Sequence, residues 1–199
     1  MDRMVEEIEK KAIENKIPII QKEGLEFLSN YIKDNNVKTI LEIGSAVGYS
    51  AIKMALINND IKITTVERDI DRYNEAVSNI NLVGLNNQIK IYNVDALEYV
   101  DNNKYDLIFI DAAKAQYINF FEKYKSNLNG NGVIISDNLK FHGFVDNPEL
   151  TNNRNTKQLA RKIKNYIDFL KENEEFETTF YELGDGVSVS RKKNQIIWK

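Results

Sequence analysis

Two short stretches hold the residues best suited to chemistry: Asp111-Ala112-Ala113-Lys114 and Ser136-Asp137-Asn138. Two carboxylates and an amide oxygen are hard donors. They suit Mg²⁺, which takes oxygen ligands and keeps positions for water or substrate. Such a cation lowers the pKa of a coordinated hydroxyl and orients it, most effectively when the substrate chelates through two adjacent oxygens. Lys114 lies three residues beyond Asp111 and reaches the same oxygen. As a neutral amine it would take the proton, and as an ammonium it would stabilise the oxyanion. The acids also fit plain helix caps, and Lys114 also fits a solvated lysine. Cations are disfavoured at helix N-termini, however, so its position calls for a reason.

A second group precedes these. Leu41-Glu42-Ile43-Gly44-Ser45-Ala46-Val47-Gly48-Tyr49-Ser50 reads as a strand, a glycine-rich turn and a helix start, an arrangement that receives nucleotide-like ligands. Gly44 and Gly48 let the backbone approach the ligand. The dinucleotide pattern G-x-G-x-x-G fails because Ala46 and Tyr49 stand at glycine positions, which argues against an NAD-dependent oxidoreductase. Glu67 stands at a strand end, about 20 residues past the turn, where an acid accepts ribose hydroxyls. Asp95, at the next strand end, can accept from an adenine amino group. Glu42, Glu67 and Asp95 together suit a ligand with ribose, adenine and an ammonium group but no phosphate.

The elements that must position these residues follow a β-α rhythm. Two amphipathic helices, over 2–15 and 21–34, are joined by Ile17-Pro18-Ile19-Ile20. Strands are expected at 37–43, 61–66, 88–94, 105–110 and 133–136, and helices at 49–58, 70–83, 116–128 and 156–170. Tyr105–Ile110 is nearly continuously apolar, as in a strand buried on both faces. Asn129-Gly130-Asn131-Gly132 reads as a turn. Strands over 176–182 and 187–191 flank Gly184-Asp185-Gly186, a hairpin signal. The expectation is one doubly wound α/β domain: N-terminal helices over 1–34, then a core over 37–192 with a mainly parallel sheet, helices on both faces and a C-terminal antiparallel hairpin.

Composition narrows the field. The 199 residues suit one core. With no cysteine and a single histidine, His142, neither a thiolate metal site nor a histidine-rich one can form. No run approaches the roughly 18 apolar residues of a membrane span, and the charged start does not read as a signal peptide. A cytoplasmic protein is expected. The net charge of −3 argues weakly against a nucleic-acid partner but leaves room for a local basic patch.

The motifs together resemble the cation-dependent class I O-methyltransferases, the group that includes catechol and caffeoyl-CoA O-methyltransferases. The likeness rests on LEIGSAVGYSAIKMA (41–55), ITTVERD (63–69), Asp95-Ala96, YDLIFIDAAKAQYINFF (105–121), GVIISDNLKFHG (132–143) and GDGVSVSRK (184–192). It implies a Rossmann-like fold with a seven-stranded sheet. It places S-adenosylmethionine on Glu42, Gly44, Ser50, Glu67, Asp95, Ala96 and Asp111, Mg²⁺ on Asp111, Asp137 and Asn138, and the catalytic role on Lys114. It also implies a homodimer. IPIIQKEGLEFL (17–28) and DGVSVSRKK are similar to the bacterial branch that methylates 5-hydroxyuridine in tRNA. That base carries a 5-hydroxyl beside a 4-carbonyl, an adjacent-oxygen pair like that of a catechol. The tail over 194–199 has no functional reading.

One feature bears on an RNA partner independently. Residues 151–167 contain no acid and five basic residues, and Arg154, Lys157, Arg161 and Lys164 share one helical face. Lys140 and His142 lie in the loop after Asn138. A basic stripe beside the site would contact phosphates of an anticodon loop while the cavity takes the base; a plain solvated face fits the stripe equally well. The expected function is therefore O-methylation of the tRNA wobble base, with small catechol-like phenols as the alternative substrate class. A cofactor-binding protein without catalysis is a third reading, opposed by Lys114 and the metal triad.

Overall fold

A computed structural model describes residues 1–193, so the tail over 194–199 lies outside the described residues. Two helices, α1 (Asp2–Glu14) and α2 (Lys22–Asp34), precede the alternating core. The core runs β1 (Thr39–Ile43), α3 (Tyr49–Ala55), β2 (Lys62–Glu67), α4 (Ile70–Leu82), β3 (Ile89–Asn93) and β4 (Tyr105–Ile110). It continues with α5 (Tyr117–Tyr124), β5 (Leu128–Ser136), α6 (Arg154–Lys171), β6 (Phe176–Tyr181) and β7 (Val187–Lys192). The sheet order is β3-β2-β1-β4-β5-β7-β6. The first five strands in that order pair in parallel, and β7 pairs antiparallel with both β5 and β6. The expected architecture, hairpin included, is present.

Alternation along the strands sorts the core into two layers, because successive side chains leave opposite faces. Leu107 and Phe109 of β4 pack with α1, α2, α3 and α4. Ile108 and Ile110 pack with α5, α6 and Phe176. β1 lies between β2 and β4, so the winding direction reverses at the gap between β1 and β4. Open α/β sheets bind ligands at the carboxyl ends beside such a switch.

Several expected boundaries differ, and two of the departures have a visible local cause. Residues 129–132 do not turn the chain; they are the first part of β5, which slips register against β4 between Tyr105 and Leu107. The reversal comes earlier, in a 3-10 turn over Lys125–Asn127. Glycine is needed at 132, where a Cβ would lie 2.7 Å from the Tyr105 carbonyl oxygen. α6 starts at Arg154, two residues before the expected 156, because the Asn153 side chain caps it by accepting from Asn155 N and Thr156 N.

Candidate active site

A cavity of about 320 Å³ opens at the carboxyl ends of β1, β2 and β4. Its walls include Gly44, Ser50, Glu67, Asp95, Ala96, Asp111, Lys114 and Asn138, eight of the residues singled out in the sequence. The turn after β1 forms the floor. Gly44 has φ +94, and a Cβ there would stand 2.6 Å from the Asp111 carbonyl oxygen, so the turn can pass β4 only without a side chain. Gly48 has φ +80 and packs on Ala76 of α4; it supports the turn from behind.

At one end, Glu67 is held by two backbone donors: Ala46 N to Oε2 at 2.9 Å and Asp69 N to Oε1 at 3.0 Å. Each oxygen keeps a lone pair for a diol in the cavity. Asp95 is more open. Its Oδ1 accepts from Leu97 N at 2.8 Å, and Oδ2 lies 3.9 Å from the Arg68 guanidinium.

Glu42 departs from expectation. It is fully buried and does not line the cavity. Ser50 Oγ donates to its Oε1 at 2.5 Å and Thr65 Oγ1 to its Oε2 at 2.6 Å. A ligand in the cavity meets Ser50, with Glu42 behind it. Burial pushes the Glu42 carboxyl up to about 7 against the pull of the two hydroxyls, and the charges of Asp111 and Glu67 add to the rise.

At the other end stand the oxygen donors. Asp111 follows β4 and Asp137 follows β5, and the parallel pairing of these strands brings the two together. Asn138 Nδ2 donates to Asp111 Oδ1 at 2.9 Å. Asp137 Oδ1 accepts from Asn138 N at 2.7 Å, and its carbonyl accepts from the buried Tyr117 hydroxyl at 3.0 Å. Asp137 itself is 3% exposed, covered by α2, whose Gly24 leaves space for the carboxylate. Burial raises Asp137 to about 7, and the neighbouring Asp111 charge raises it further. Burial likewise raises Asp111, with the Lys114 ammonium pulling the other way.

The buried Asp137 and the half-buried Asp111 repel each other beside a single amine, and a divalent cation would offset that repulsion. Among the described residues no three His, Cys, Asp or Glu side chains gather to hold a metal. A cation here would take its third protein oxygen from Asn138, after a half-turn of the amide away from its bond to Asp111.

The basic residues divide. Lys140 pairs with Glu182, and His142 Nδ1 lies 3.7 Å from Asp185 Oδ2, so acids of the β6–β7 turn already engage both. Arg154, Lys157, Arg161 and Lys164 are exposed along α6. Among the described residues none of these four enters an ion pair. α6 packs against the turn over Lys114–Gln116, beside the cavity. The sequence reading missed three parts of the wall: Pro18-Ile19-Ile20, Arg68 with Arg72, and Phe120. The apolar run at 17–20 was the available signal for the first.

The O-methyltransferase family model matches residues 1–193. A caffeoyl-CoA O-methyltransferase of Medicago sativa is 28% identical over 183 residues, covering 84% of this chain and 72% of its own length. A flavonoid 3',5'-methyltransferase of Vitis vinifera is 28% identical over 180 residues, covering 85% and 76%. Among solved structures, a Staphylococcus aureus protein described as a candidate caffeoyl-CoA O-methyltransferase superposes with TM-score 0.91 at 38% identity, covering 95% of this chain and 92% of that one. The fold, the cavity at its switch point and the family match agree, and the chain belongs to the class I O-methyltransferase family.

Proposed function

We propose that this protein is an S-adenosylmethionine- and Mg²⁺-dependent O-methyltransferase acting on 5-hydroxyuridine at the wobble position of tRNA. The observation that carries the methyl-transfer part is the division of one cavity into two ends: acids for ribose and adenine at Glu67 and Asp95, and Asp111, Lys114 and Asn138 at the other. A Bacillus cereus O-methyltransferase of the same fold was solved with S-adenosylhomocysteine, at TM-score 0.81 and 24% identity.

Asp111, Asp137 and Asn138 would hold the cation, which when bound supplies a Lewis acid for the substrate's two adjacent oxygens. Lys114 stands where the hydroxyl proton leaves and holds the oxygen's developing negative charge toward the methyl group. Glu67 and Asp95 would hold the cofactor's ribose and adenine, and the bound cofactor would supply the methyl group. Ile19, Ile20 and Phe120 keep water from the transfer path.

Support for an RNA substrate comes from α6. Four exposed cations at helical spacing, without acid partners among the described residues, stand on the helix that packs on the Lys114 turn. That placement suits phosphate contacts around a splayed base. A small phenol is the second reading, favoured by the names of the caffeoyl-CoA and flavonoid methyltransferase relatives. The deciding experiment offers the protein S-adenosylmethionine and Mg²⁺ with tRNA bearing 5-hydroxyuridine and, separately, a simple catechol. Formation of 5-methoxyuridine by nucleoside mass spectrometry, abolished by EDTA, is the expected result. Methylated catechol beside untouched tRNA would move the substrate to the phenol class.

A further inference from the structure

Asp185 sits in the turn between β6 and β7, and the reaction outlined above does not use it. Its side chain is 5% exposed. Oδ1 accepts the backbone N–H of His142 at 2.6 Å. Among the described residues Oδ2 is buried with no hydrogen-bond partner, and the His142 ring stands 3.7 Å from it. The same turn takes two more backbone donors from the loop after β5: Leu139 N gives to the Gly186 carbonyl at 3.0 Å and Lys140 N to the Asp185 carbonyl at 2.7 Å. This close approach depends on Gly186, whose φ is +85 and whose Cβ, if present, would meet Lys140 Cγ at 3.0 Å.

The loop held this way adopts a conformation that a free chain avoids. Asn138, Phe141 and His142 have φ values of +64, +47 and +56. Asparagine and histidine tolerate the left-handed region; a bulky phenylalanine does so poorly. Such backbone persists where its surroundings over-determine it. The loop also begins at Asn138, whose amide meets Asp111 at 2.9 Å. A slip at 139–142 therefore shifts a group at the reacting end of the cavity.

The structure assigns Asp185 the role of a positioning residue: with its turn it clamps the loop over 139–142, holding Phe141 and His142 in left-handed form, and thereby fixes Asn138 against Asp111. It acts through the loop and does not line the cavity. The inference rests on the proposed reaction only in that Asn138 belongs to the reacting end.

The test uses the full chain with Asp185→Ala and Asp185→Asn, read by amide hydrogen exchange and by methyl-transfer kinetics. Asp185→Ala is expected to speed exchange at Leu139, Lys140 and His142 by about tenfold or more while β4 and β5 stay protected. Its kcat should fall roughly 10- to 100-fold with the KM for S-adenosylmethionine within about twofold. Asp185→Asn keeps an acceptor for the His142 N–H and should restore most of both. Unchanged exchange in Asp185→Ala overturns the assignment, as does loss of kcat in Asp185→Asn while the loop stays protected. Should the alanine variant fail to fold, the asparagine variant decides alone: protected loop with near-parental kcat supports the clamp, and any other pattern sinks it. If the parent methylates none of the substrates offered, the proposed reaction fails, and the exchange data still decide the clamp.

Discussion

Asp137 and Glu42 are both raised to about 7 by burial, yet the two rises mean different things. Asp137 lies behind the cavity wall under α2 and is one of the proposed cation ligands, so its proton would compete with a metal. Metal affinity should therefore climb as pH rises through about 7 and level off above it, which titration calorimetry with Mg²⁺ would show. Asp137→Ala should abolish turnover and leave S-adenosylmethionine affinity nearly intact; turnover within a few-fold of the parent would remove Asp137 from the metal site. Glu42 faces two hydroxyls and is not among those ligands, so its titration belongs to stability. Its folded pKa is raised above the ordinary 4.5, so its contribution to stability is fully present below about 4.5 and is lost as pH rises through about 7. Glu42→Gln should flatten that part of the stability curve and gain roughly 1–3 kcal/mol at pH 8 in melts without cofactor. The sequence placed Glu42 correctly at a strand end but could not show which way it points. Ser50 and Thr65 lie 8 and 23 positions away, and only the fold brings both hydroxyls onto its carboxylate, Ser50 through the turn into α3 and Thr65 through the β1–β2 pairing.

α6 shows where sequence pattern is reliable and where it stops. The spacing of Leu159, Ile163, Tyr166 and Leu170 marks an apolar face in the sequence; Ile163, Tyr166 and Leu170 are buried, and Leu159 is half-buried. The same spacing could not tell whether the opposite cations are engaged, because ion pairing depends on what other elements bring near. The structure separates the six: Lys140 and His142 meet acids of the β6–β7 turn, and the four on α6 meet none among the described residues. Replacing Arg154, Lys157, Arg161 and Lys164 by glutamine should weaken tRNA binding on the order of 10- to 100-fold and flatten its salt dependence. Catechol turnover should be unchanged; equal loss on both substrates would mean that α6 acts through the fold. The turn after β1 is a different case. The sequence marked Gly44 for backbone approach to a ligand, and the structure gives this glycine a further reason: a Cβ there would stand 2.6 Å from the Asp111 carbonyl oxygen of the neighbouring strand's end. Gly44→Ala should push that turn off β4 and cut cofactor affinity at least about tenfold, measurable by calorimetry.

At the scale of the whole molecule, parallel strands and one hairpin fix which groups can meet. β4 and β5 are neighbours in the sheet, so Asp111 and Asp137 converge although 26 positions separate them. The order of β-α units makes this readable in the sequence. Less readable was the covering of the carboxyl edge by the N-terminal helices: Gly24 of α2 lies on Asp137, and Pro18-Ile19-Ile20 walls the cavity. The apolar run at 17–20 signals that the linker is covered but does not say by what, because the site it walls lies about a hundred residues downstream. α1 is tied down as well, by Lys11 to Glu75 of α4 at 2.7 Å. The wall of the cavity thus draws on the chain from Pro18 to Asn138, and no single β-α unit carries enough of it to grip a ligand. Occupancy by the cofactor is in consequence a readout of complete folding. In a refolding experiment, binding should appear with the last kinetic phase and not with the early gain of helix, and a proteolytic nick between the N-terminal helices and β1 that lets them leave should silence it.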